Sequence, residues 1–194
     1  MAGWDFPTSL EVGGVELEIR TDFRVILDII EVLTDNSITD AEKVFVAFSV
    51  FYLGIDYGEM PAEYRQEALD KMMWFIRGGE DEDDDKQGPR LIDWNKDFHL
   101  IAAPVNRVLG YECRAVPYNR DTNEGGLHWW TFISAYMEIG ECYFQQVVGI
   151  RSKKAKGKKL DKTDRDFYRR HRKDIDIKRE ITDEEAALLA KWTS

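Results

Sequence analysis

Apolar residues in this chain recur at intervals of three and four, and a glycine closes most of these runs. That period marks helices with one buried face, and it constrains the fold more than any other feature. Phe23, Ile26, Leu27, Ile30 and Leu33 form the first stripe, with Thr21 or Asp22 placed to cap it. Thr39 followed by Glu42 is a capping box for a second helix, with Val44, Phe45, Phe48, Phe51 and Tyr52 inward and Gly54 as the stop. Pro61 suits the first turn of a third, carried by Tyr64, Leu69, Met72, Met73 and Ile76 and ended by Gly78-Gly79. Asp93 caps a fourth, and its stripe of Trp94, Phe98, Ile101, Val105 and Val108 contains Pro104, which should kink or split it. Residues 127–139 and 142–151 read as a fifth and a sixth helix. Asp161 or Thr163 caps a seventh running through Arg172, and Thr182 with Glu185 caps a last one ending near Trp192.

Only one segment has the other period. Leu10, Val12, Val15, Leu17 and Ile19 alternate with glutamates around Gly13-Gly14, which is the pattern of a β-hairpin. So small a unit must lean on something larger. Residues 111–126 read as polar and irregular. The expected fold is mainly α: a helical bundle-like domain over 1–151 with a small N-terminal β-hairpin, and a basic helical extension over 152–194 packed on it.

Charge divides the chain in the same way. The net charge is -10, but residues 1–100 hold 9 basic and 23 acidic side chains, while residues 151–179 hold 14 and 5. An acidic body therefore carries one basic segment. Arg151, Lys153, Lys154, Lys156, Lys158 and Lys159 are its candidate partner-binding residues. Nucleic acid is the weaker partner, because five aspartates are interleaved through 161–176 and Phe167 and Tyr168 are the segment's only aromatics. Docking on an acidic surface, including a second copy in a homo-oligomer, fits the charge better.

Catalytic and metal motifs fail on inspection. The acidic run 80–85 has Lys86 where a calcium loop needs Gly and Ile92 where it needs a bidentate Glu. The lysine-rich stretch has Ser152 and Lys159 at two positions that a phosphate loop fixes as Gly and Ser or Thr. His128 beside Trp129-Trp130 reads as a partly buried, hydrogen-bonded histidine. Asp93 and Asp97 read as a cap and a first-turn acid favoured by the helix dipole. No enzyme, cofactor or metal is expected. Cys113 and Cys142 give no disulfide framework, no apolar run is long enough for a membrane span, and the first eight residues do not read as a secretory signal. The expected place is the cytoplasm.

Several of these stretches together resemble the bacteriophage gene-product-fifteen family of long-tailed phages and prophages of Gram-positive bacteria. The resemblance runs through 8–14, 19–24, Trp74-Phe75-Ile76 with Gly78-Gly79, Asp93-Trp94 with Asp97, and Leu127-His128-Trp129-Trp130-Thr131-Phe132. It continues through Ile150-Arg151-Ser152-Lys153-Lys154, 157–160 and Phe167-Tyr168. One departure is 118–126, which looks like a lengthened surface loop. The resemblance implies a tail assembly chaperone that binds the tape-measure protein in the cytoplasm of the bacterial host. It brings no catalytic residues. It implies that Trp94, Trp129, Trp130 and Phe132 are core and that Asp93 and Arg151 are capping or ion-pair residues. A phage nucleic-acid-binding protein using 151–179, and a structural tail component, are the alternatives. Met60, Met72 and Met73 are candidates to line an adaptable groove, although plain core is their commoner role.

Overall fold

The computed structural model describes residues 5–81 and 88–177. The expected last helix with its Thr182–Glu185 box lies outside the described residues, as do the last four residues of the acidic run. Two short strands, β1 (Ser9–Val12) and β2 (Val15–Glu18), pair antiparallel with Val12 opposite Val15. Gly13 and Gly14 turn the chain with φ of 58° and 79°. Positive φ at both central residues is what a tight hairpin turn needs. Leu10 and Val12 are buried, and the Gly13 amide donates to Glu67 at 3.1 Å, so the hairpin leans on a helix.

That helix is the third of seven among the described residues: α1 (Phe23–Thr34), α2 (Asp40–Phe51), α3 (Ala62–Ile76), α4 (Trp94–Leu109), α5 (Trp129–Met137), α6 (Tyr143–Ala155) and α7 (Lys162–Ile175). The caps explain where they start. Asp22 caps α1, Thr39 and Glu42 form the box of α2, Asp93 caps α4, His128 caps α5, and Asp161 with Asp164 boxes α7. Helix α1 packs on α2, α4 and α5, α2 on α3, α4 also on α5 and α6, and α6 on α7. The core between them is aromatic. Phe23, Phe48, Phe51, Phe75, Trp129, Phe132 and Phe144 are all buried, and Phe23 stacks on Phe132 with centroids 4.5 Å apart.

The fold is mainly α with a small N-terminal hairpin, and four details differ from expectation. Helix α4 is not split at Pro104: a single helix continues through the buried proline, whose missing N–H takes one bond from it. Residues 118–126 form a second hairpin, β3 (Tyr118–Asn119) with β4 (Glu124–Gly125), and not a plain surface loop. Four residues of strand are too few to show a period. Phe45 and Val108, expected in the core, are about half exposed, because α2 and α4 turn narrower faces inward than their apolar stripes. Finally, the boundary between 151 and 152 falls inside α6, so the basic segment begins within a helix that is already part of the bundle.

Candidate partner-binding groove and basic segment

Helix α3 carries five apolar residues in succession, Met72 to Ile76. On a helix that run wraps more than a full turn, so it cannot all face one core. Met72 and Phe75 are buried. Met73 and Trp74 instead line a groove of about 790 Å³ between α3 and β1, together with Leu10. Its rim carries Glu11, Glu67, Asp70 and Asp81 against Lys71 and Arg77. Lys71 is held by Glu67 at 2.8 Å and by the Glu11 carbonyl, and Arg77 donates to the Glu80 carbonyl at 3.3 Å. The groove thus has an apolar floor and an acidic rim. Of the three methionines named from sequence, Met73 alone lines it, since Met60 and Met72 are core. Leu10, Glu67, Asp70 and Asp81 are additions that sequence did not single out; the signal available was the unbroken apolar run.

The basic segment is not a single surface. Arg151 is 5% exposed, and its guanidinium has five acceptors. Nη1 and Nη2 grip the two Asp97 oxygens at 2.6 and 2.8 Å, Nη1 also reaches the Leu91 carbonyl, Nε the Ile175 carbonyl, and Nη2 the Asp174 carbonyl. Five acceptors match the five N–H groups of the side chain. Arg151 therefore belongs to the interior, where it ties α4, α6 and the end of α7 together, and it is withdrawn from the partner-binding set. Its partner Asp97 is fully buried and also accepts from the Asp93 amide at 2.9 Å. Lys153 pairs with Asp164 and Lys154 with Asp176, each at 2.6 Å, which fastens α6 to α7. Lys156, Lys158 and Lys159 are exposed.

His128 is half-buried and sits between two roles. Its Nδ1 accepts from the Trp130 amide at 3.1 Å, so the ring proton is on Nε2, which donates to the Pro7 carbonyl at 3.1 Å. Burial lowers its pKa, and the Pro7 carbonyl opposes that shift. Phe6 stacks on the ring at 4.6 Å. The histidine is a helix cap and an anchor for the segment before β1. Among the described residues, no three potential ligands converge as a metal site requires.

The stretches quoted from the sequence meet one another in space. Asp22 accepts from Arg24 and from the Leu127 amide, joining α1 to the start of α5. The indoles of Trp129 and Trp130 donate to the carbonyls of Ile76 and Phe75 at 2.8 and 2.9 Å, joining α5 to the end of α3. Trp129 and Phe132 are buried, while Trp94 and Trp130 pack against the core from its edge. Asp93 caps α4 by accepting from the Lys96 amide. These residues are architecture, and they hold α3, with its groove, in place.

Comparison with known families gives a match to the bacteriophage Gp15 protein over residues 5–98 and 118–177. The matched part includes 118–126, expected to be the departure; the stretch between the two matched parts is 99–117, the rest of α4 and the turn after it. No curated protein matches the chain, and no solved structure does.

Proposed function

The chain belongs to the bacteriophage Gp15 protein family, and from that premise we propose that it is a non-enzymatic tail assembly chaperone that binds the tape-measure protein. The groove between β1 and α3 is the observation that carries this reading. A long amphipathic helix exposes an apolar stripe that aggregates when bare, and a groove with an apolar floor is what covers such a stripe. Met73 and Trp74 supply the floor, one adaptable and one flat and wide. The acidic rim favours a helix flanked by lysines and arginines. The family match and the buried Arg151–Asp97 ion pair support a scaffold that presents this face.

Co-expression with the tape-measure protein tests the proposal. The wild-type chain should co-purify with it and keep it soluble. Met73→Glu puts a charge on the groove floor at a position that is not fully buried, so it should lose the tape-measure protein while keeping its own fold by circular dichroism. A wild-type chain that neither co-purifies with the tape-measure protein nor keeps it soluble would overturn the reading.

A further inference from the structure

Read along the sequence, the aspartates at 161, 164, 166, 174 and 176 make the basic segment look alternately charged. Folded, the charges separate. Asp161 caps α7, and Asp164 closes the capping box while holding Lys153. Asp174 accepts from the Tyr143 hydroxyl at 2.5 Å, and Asp176 takes Lys154 and the Tyr168 hydroxyl. Asp166 stays outward, paired with Arg169. What faces outward is a row of exposed cations at helical spacing, Lys162, Arg165 and Arg169, continued by Arg172 and Lys173 beyond a kink at His171. At 1.5 Å per residue the stretch from Lys162 to Arg169 is about 10 Å long. Arg169 and Arg172 have carboxylate partners, but at 79% and 75% side-chain exposure these pairs exchange at little cost.

Two further observations identify what the row fits. Phe167 packs on Tyr143 and His171, and Tyr168 lies under Lys154, so neither ring is free to stack on a base. Carboxylates also stand at one end of the row: Glu31, Asp35 and Asp93 share a cleft of about 880 Å³ with Arg90, Lys96, Arg172 and Lys173. A nucleic-acid duplex carries phosphate charge all along its length and would run against them. A compact acidic protein face meets the row alone. The same chain carries charge of that sign, with a surplus of 14 acidic residues over 1–100.

We propose that the outward face of α7 docks on the acidic 1–100 half of a second copy, so that copies join head to tail through charge. The contact uses two different patches, so it is heterologous and propagates unless its rotation closes a ring. It lies on other elements than the floor of the groove, and it stands whether or not the tape-measure protein is the partner.

Sedimentation velocity at about 0.01 M and about 1 M salt tests it, because the Debye length falls from about 30 to about 3 Å between them. The wild-type chain should show a sedimentation coefficient that rises with concentration at low salt and returns to the monomer value at high salt. The R165E/R169E double variant should lose the rise, and R165K/R169K should keep it. Carbodiimide coupling of isotope-labelled with unlabelled chain should link Lys158, Lys159 or Lys162 of one copy to carboxylates within 1–100 of the other. A wild-type chain that stays monomeric at low salt, a reversed variant that associates like wild type, or cross-links confined within single chains would each overturn the proposal. So would a wild-type chain that remains monomeric yet binds duplex DNA with a steep salt dependence.

Discussion

Removing the Arg151 side chain would leave the Asp97 carboxylate buried, with the backbone amide of Asp93 as its remaining donor among the described residues. Breaking a buried pair in this way costs about 3–5 kcal/mol. Arg151→Ala should therefore lose about that much stability in urea unfolding followed by tryptophan fluorescence. Arg151→Lys should recover little, since an ammonium cannot replace a planar fork with five acceptors; a lysine variant as stable as wild type would contradict the geometry. His128 makes a prediction of the opposite kind, in pH. Burial lowers its folded pKa below the 6.5 of the free side chain, with the Pro7 carbonyl opposing. The folded state thus holds the neutral ring, and its stabilisation is fully present above pH 6.5. It is lost as pH falls from there through the lower folded value. Asparagine is also a good helix cap but does not titrate. Melting temperatures measured from about pH 7.5 to about pH 5 should fall further for wild type than for His128→Asn. Parallel curves would remove His128 as the cause.

At the scale of elements, the junction between β4 and α5 leaves no room for a side chain at its glycine. Gly126 has φ of 91°, and a Cβ there would lie 2.5 Å from the buried Asp22 carboxylate oxygen that the Leu127 amide needs. Gly126→Ala combines a disfavoured backbone with a collision against a charge, so a loss of about 2–3 kcal/mol is expected. Gly140 is also at positive φ but meets nothing, so its alanine variant bears the backbone cost alone and should lose less. Equal losses in thermal melts would show that contact with Asp22 contributes nothing. Helices α1 to α7 were readable from stripes and caps because both are local. The β3–β4 hairpin was not, since its two short strands are held by partners far along the chain: Arg24 reaches the Val116 carbonyl and Asp22 meets Gly126.

At the scale of the whole molecule, the basic segment is fastened to the bundle and is not a separable tail. Ile175 is buried against Val147 and Ile150, and the carbonyls of Asp174 and Ile175 complete the guanidinium of Arg151. Ending the chain after Leu160 strips two acceptors from that side chain and uncovers an apolar patch. The shortened chain should melt about 5–15 °C lower in a single transition. An unchanged melting temperature would mean that 161–194 is an independent extension. The candidate groove was legible only in part: the run Met72–Ile76 said that something apolar must face outward, but not that Leu10 and Glu11 would stand across from it.

The sequence by itself determined the helices, their caps, the first hairpin and the division into acidic and basic parts. Each of these depends on residues within a few positions of one another, where spacing is a direct statement about space. Tertiary structure alone decided which charges remain for a partner. Arg151 and Asp97, 54 positions apart, found one another and left the surface. Four of the five aspartates in and around α7 turned to caps, lysines and tyrosine hydroxyls of the fold, while Asp166 stayed outward beside Arg169. A count of charge along a chain cannot see that separation, because a helix sorts its residues by angle and the neighbours that neutralise them come from other elements.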